Sequence, residues 1–136
     1  MTLFLDANII IYRVETVEPF NQQALAILQE LVAQYPHAGF AVSRLSMMEC
    51  LVKPVRENNT VFTERYRSFF ASAGLQIVDV SSLVLETATL LRAHHGLRTP
   101  DAIQAASALT IRGPVIFLTG DKHFRHVPGL NVRLIS

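Results

Sequence analysis

The stretch Leu3-Phe4-Leu5-Asp6 and the later stretch Val115-Ile116-Phe117-Leu118-Thr119-Gly120-Asp121 decide the fold. Each is an apolar run too short for a buried helix. An aspartate follows at once in the first and just beyond the run in the second. Short continuous apolar runs are what strands covered on both faces look like. Gly39-Phe40-Ala41-Val42 and Leu75 to Val80 read the same way, and Val132 to Ile135 is a candidate fifth strand.

Between these runs the apolar spacing is helical. Pro19 opens a segment with Phe20, Ala24, Ile27, Leu28 and Leu31 in register. Ser43 can cap a helix with Leu45, Met48 and Val52 on one face, which Pro54 is expected to end or kink. Asn59 or Thr60 starts a helix with Phe62, Tyr66, Phe69, Phe70 and Ala73 in register, closed by Gly74. Ser81 or Ser82 begins another, running to His95 and stopped by Gly96. Thr99-Pro100-Asp101 supplies a cap residue, a proline at the first helical position and an acid in the first turn. The helix it opens carries Ala102, Ala105, Ala106 and Leu109 on one side and stops at Gly113. Strands separated by helices require right-handed crossovers and a largely parallel sheet. The expectation is one α/β domain over residues 1–136, a three-layer α/β/α arrangement on a mainly parallel sheet of four or five strands.

Composition sets bounds. Of 136 residues, 50% are hydrophobic and 17% charged, which excludes a disordered chain. A formal net charge of +1 does not announce a nucleic-acid binder, so any electrostatic attraction must be local. Cys50 is the one cysteine, so there is no internal disulfide, as suits a reducing compartment. The N-terminus has no basic n-region, and Asp6 interrupts its apolar run, so it does not read as a signal peptide. No run approaches the roughly 18 apolar residues of a membrane span. A soluble cytoplasmic protein is expected.

Ligands of open α/β sheets bind beyond the carboxyl ends of the strands. Strands ending in Asp6 and near Asp121 aim both carboxylates at that edge. Asp101 sits in the first turn of a helix, where the dipole favours negative charge. Glu49 borders an apolar helix face, where a carboxylate is costly without a cation or strong donors. Hard oxygen ligands in this number suit Mg²⁺ or Mn²⁺. Such ions can activate a water and stabilise the leaving oxygen of a phosphodiester without a covalent protein intermediate. That matters here, since the chain offers no convincing Ser/His/Asp or Cys/His pattern.

Four motifs carry a family resemblance. Leu3-Phe4-Leu5-Asp6-Ala7-Asn8 resembles the opening strand of PIN domains, with their first aspartate and the polar residue two positions on. Glu49 occupies the place of their helix glutamate. Gly96-Leu97-Arg98-Thr99-Pro100-Asp101-Ala102-Ile103-Gln104-Ala105-Ala106 is similar to the third-acid helix of VapC-type toxins. Leu118-Thr119-Gly120-Asp121-Lys122-His123-Phe124 resembles their fourth-acid segment. Ala7 departs from the pattern, where many relatives carry Thr or Ser. The resemblance implies Mg²⁺- or Mn²⁺-dependent cleavage of RNA, a homodimer, and the toxin role of a type II toxin–antitoxin pair held in check by an antitoxin protein. It implies that Asp6, Asp101 and Asp121 bind the metal, with Glu49 binding a second ion or orienting the attacking water. Asn8 and Thr119 are then donors that hold the carboxylates in place. Arg98, Lys122 and Arg125 lie near the motifs and are candidates for contacts to flanking RNA phosphates.

Plainer readings exist for each part. Asp101 alone is an ordinary first-turn acid, and Asp121 alone can start a turn or cap a short helix. Asp79 follows a strand but lies outside the motifs and reads as a turn residue. His123 and His126 have a helical spacing without the companions of a zinc pattern. Cys50 reads as a small buried hydrophobe and the aromatic stripe from Phe62 to Phe70 as core or dimer surface. Arg65 and Arg67 read as a solvated face. Two rival functions stand beside the nuclease. One is a PIN-like module that binds RNA or protein without cutting. The other is a phosphatase with a strand-end aspartate nucleophile, disfavoured because Asn8 stands where a second aspartate would act as general acid.

Overall fold

A computed structural model describes residues 1–136. Five strands make one all-parallel sheet: β1 (Thr2–Leu5), β2 (Gly39–Ser43), β3 (Leu75–Val78), β4 (Val115–Thr119) and β5 (Val132–Leu134). Their order across the sheet is β3-β2-β1-β4-β5. Six α-helices connect them: α1 (Ala7–Val14) and α2 (Phe20–Gln34) before β2, α3 (Arg44–Arg56) and α4 (Thr60–Phe70) before β3, and α5 (Ser82–His95) and α6 (Thr99–Leu109) before β4. A short 3₁₀ helix, Lys122–His126, follows β4. No helix is long and apolar enough to cross a membrane.

The sheet separates two cores, because successive side chains of a strand point to opposite faces. Leu3 and Leu5 of β1 pack with Ile9, Ile10, Leu31, Cys50, Tyr66 and Phe70 on the side of α1 to α4. Phe4, between them, packs with Phe117, Ala88, Leu91 and the alanines of α6 on the other side. The expected three-layer α/β/α arrangement is therefore what forms, with all five candidate strands in place. The aromatic stripe of α4 belongs to the core: Tyr66 and Phe70 are buried, and Phe62 and Phe69 pack against them.

Several local expectations need correction. The segment after Asp6 is a helix, α1, for which no element was expected. Ser43 caps α3 by accepting a hydrogen bond from the Leu45 N–H, yet the apolar residues Met48 and Val52 are 59% and 50% exposed. The buried face of α3 is instead Ser46, Cys50 and Pro54, and the helix passes Pro54 to end at Arg56. Pro54 lies in the last turn, so the single ladder bond it forgoes does not break the element. At α6, Arg98 holds the extended cap position and Thr99 is already helical, one residue earlier than expected. Gly96 does close α5, in a left-handed conformation (φ 66°) open to glycine at no steric cost.

Candidate metal-binding active site

The strand order fixes where a ligand can bind. From β1 the chain moves outward through β2 and β3, then crosses back to place β4 on the other flank of β1. Between β1 and β4 the connections diverge, which opens a crevice beyond the carboxyl edge of the sheet. Asp6 follows β1 directly, and Asp121 follows β4 after Gly120. Glu49 comes to the same region on α3, which leaves the end of β2, and Asp101 in the first turn of α6.

Asp6 is the innermost of the four, only 6% exposed. The Thr119 hydroxyl donates to its Oδ2 at 2.7 Å. The same hydroxyl oxygen accepts from the Asp121 N–H at 3.0 Å, so Thr119 ties the ends of β1 and β4 together. Burial pushes the Asp6 carboxyl up to about 6, against the pull of the Thr119 bond and with the help of the negative charges of Glu49 and Asp101. Glu49 is also raised by burial, opposed by a hydrogen bond from Gln104 and reinforced by Asp101. Asp6 thus feels the charges of Glu49 and Asp101, and Glu49 that of Asp101, in a poorly solvated place. Such crowding is unfavourable in the absence of a cation.

Asp121 behaves differently. Its Oδ1 accepts from the His123 N–H at 2.9 Å and lies 2.8 Å from His123 Nδ1, so the carboxylate caps the 3₁₀ helix. Asp101 pairs with Arg98, Nε to Oδ2 at 3.3 Å. As the side chains stand, no three of the acids and histidines converge closely enough to enclose one ion. The donor set nonetheless fits a hard divalent cation: carboxylate oxygens, mutual repulsion that a cation would relieve, and no thiolate or buried imidazole in competition.

Two open pockets flank Asp121. One, of about 520 Å³, runs between the start of α6 and the 3₁₀ helix and holds Arg98, Asp101, His95 and His126. The other, of about 560 Å³, holds Asn8, Lys122 and Arg125. The three cations expected near the motifs therefore line the walls on either side of Asp121. Asn8 is exposed on α1 and bonds to no carboxylate, whereas Thr119 does. A larger cavity of about 710 Å³ beside α1 contains Arg13 and no acid, so its size gives it no claim to this chemistry. Asp79, outside the crevice, pairs with Arg44 at 2.8 Å.

Sequence reasoning missed the residues behind Glu49. The Gln104 amide donates to Glu49 Oε1 at 2.9 Å and to Ser46 Oγ at 2.8 Å. The signal was present: Gln104 and Ser107 are the polar positions of the stretch Ala102 to Ala108, which is otherwise alanine and isoleucine, and both are buried.

The PIN domain family model matches residues 3–130, and the chain belongs to that family. Its fold is similar to solved structures of toxin–antitoxin complexes. A chain of the Rickettsia felis VapBC2 complex bound to a promoter DNA fragment superposes with a TM-score of 0.75 at 19% identity, covering 98% of each chain. One from a Klebsiella pneumoniae toxin–antitoxin complex gives 0.70 at 26% identity, covering 100% of this chain and 98% of the other. One from VapBC-1 of nontypeable Haemophilus influenzae gives 0.70 at 20%, covering 99% and 98%. No curated protein matches the chain in sequence.

Proposed function

We propose that this protein is a Mg²⁺- or Mn²⁺-dependent endoribonuclease that hydrolyses RNA phosphodiester bonds, acting as the toxin of a type II toxin–antitoxin pair. The observation that carries the reading is Asp6, buried at the end of β1 and held by the Thr119 hydroxyl, at the crevice between β1 and β4 where Glu49 and Asp101 add their charge to its burial. A fold that raises a carboxyl to about 6 by burying it among other acids loses stability unless a cation joins them.

Asp6, Asp101 and Asp121 would hold the ion, with Glu49 completing the set. Asp121 must turn from its cap on the 3₁₀ helix to do so, and the 2.9 Å bond it gives up is to an exposed N–H that water can satisfy. When bound, the ion supplies a Lewis acid that activates water and stabilises the leaving oxygen. Thr119 keeps Asp6 oriented. Arg98 on one side of Asp121, and Lys122 and Arg125 on the other, take the phosphates flanking the scissile bond. The partners in this reading are RNA, an antitoxin protein and a second copy of the chain. The toxin–antitoxin complexes of similar fold support the antitoxin. Met48, Val52 and Val55, exposed along one side of α3, support a homodimer.

The test is incubation of total cellular RNA with purified, antitoxin-free protein in Mg²⁺, Mn²⁺ or EDTA, beside Asp101→Asn. Discrete fragments that need the metal and vanish with the variant are expected. Folded protein that binds RNA and leaves it intact with both metals would make the non-cutting binding module the better reading.

A further inference from the structure

Helices α3 and α6 meet along three polar rungs. On one side they are Ser43, which ends β2 and caps α3, with Ser46 and Glu49 of α3, and on α6 Ser107, Gln104 and Asp101. Both series step by three residues, so each lies along one face of its helix. They pair in opposite order. The Ser107 hydroxyl, which donates to the Ile103 carbonyl at 2.7 Å, lies 3.1 Å from the Ser43 hydroxyl, and the Gln104 amide donates to Ser46 Oγ at 2.8 Å and to Glu49 Oε1 at 2.9 Å. Glu49 and Asp101 continue the two series to the candidate active site, where Asp101 pairs with Arg98. Ser43, Ser46 and Ser107 are fully buried and Gln104 is 2% exposed.

Burying so many polar atoms in a small domain is unfavourable where alanine would serve. The neighbouring surface of α6 is Ala102, Ala105, Ala106 and Ala108, all buried. Such small side chains give few knobs to stop one helix sliding on another. The polar rungs supply the register that the alanines do not. The orientation of the Gln104 amide is fixed by its neighbour. Turned the other way, its oxygen would face the Glu49 carboxylate. As it stands, Gln104 Oε1 is buried without a partner. The side chain thus leaves its acceptor unsatisfied to keep both donors, and one of those donors holds Glu49.

We propose that Gln104 is a positioning residue: anchored on Ser46, it clamps the Glu49 carboxylate in the acidic crevice. This rests on the metal-site reading above. Asp6 has its clamp in Thr119, and Gln104 is the corresponding clamp for Glu49.

The experiment titrates Mn²⁺ into metal-stripped full-length protein by calorimetry, with melting temperatures measured on the same samples, for wild type, Gln104→Leu and Ser107→Ala. Ser107→Ala removes the rung farthest from the crevice and leaves the clamp. It is expected to lower the melting temperature and keep Mn²⁺ affinity within about twofold of wild type. Gln104→Leu is expected to weaken Mn²⁺ binding by about tenfold, the lower end of what lost ligand-orienting partners cost. Gln104→Met, closer in shape, replaces it if the leucine variant does not fold. The clamp is overturned if the folded Gln104 variant binds Mn²⁺ as wild type does, or if Ser107→Ala loses as much affinity. Absence of Mn²⁺ binding by wild type is a different failure, since it removes the metal site itself and the clamp with it.

Discussion

Replacing Asp6 with asparagine should make the metal-free protein more stable and the metal-loaded protein less so. Asp6 rises from an ordinary 3.8 to about 6 in the fold, chiefly through burial. The folded state therefore keeps this proton up to about pH 6, while the unfolded chain releases it near pH 4. Between those values the fold binds more protons than the unfolded chain, so stability falls as pH rises through the window. Above it the cost is fully present. At ~1.4 kcal/mol for each tenfold change in proton affinity, it amounts to about 3 kcal/mol. Asparagine removes the charge and keeps an acceptor for the Thr119 hydroxyl, but its amide N–H adds a buried donor. A net gain of about 2 kcal/mol is expected, after allowing about 1 kcal/mol for that donor. The assay is urea unfolding of wild type and Asp6→Asn in EDTA at pH 4 and pH 7.5. The variant should be the more stable at pH 7.5 and no more stable than wild type at pH 4, where the added donor outweighs what remains of the charge cost. Millimolar Mn²⁺ should reverse the order at pH 7.5, because only the native site gains binding energy from the ion. Equal stabilities at pH 7.5 in EDTA, or a gain as large at pH 4, would refute the reasoning that buried charge at Asp6 is a standing cost.

Other outcomes follow from particular contacts. Arg98→Gln, Lys122→Gln and Arg125→Gln should each weaken binding of single-stranded RNA and make the log–log salt slope shallower by roughly 0.7, the value for one lost phosphate contact, in filter binding at several salt concentrations. An unchanged slope would take that residue off the RNA path. Gly96→Ala places a side chain at φ 66° and should cost about 1 kcal/mol, read as a melting temperature lower by a few degrees. Cys50 is buried and its thiol is pushed up by burial and the acids around it, so a thiol reagent at pH 8 should modify it slowly in folded protein and quickly in urea. Fast modification in the folded state would contradict the packing of α3.

Much of the fold was legible because the central strands β2, β1 and β4 are covered on both faces and so read as nearly unbroken apolar runs. Asp6, Asp101 and Asp121 were legible for a related reason: each stands where an element ends or begins, and parallel strands bring those ends to one edge. Two features resisted reading. Ile9-Ile10-Ile11 is a β-branched run of the kind strands favour, which hid helix α1. The inward face of α3 is polar, Ser46 and Glu49 beside Cys50, while its apolar residues Met48 and Val52 face outward. Amphipathicity points the wrong way when the buried neighbour is itself polar, and Gln104 and Ser107 on α6 are that neighbour. The pairing joins positions far apart in the chain, and periodicity within one helix carries no information about it.

The most direct measurement is anomalous diffraction at the manganese edge from crystals grown with Mn²⁺. A peak in the crevice between β1 and β4, within coordination distance of Asp6 and at least one of Glu49, Asp101 and Asp121, with Asp121 turned from His123, is the expected result. Strong density for Mn²⁺ elsewhere, or none in that crevice while the four carboxylates keep their present partners, would contradict a metal-dependent nuclease site there.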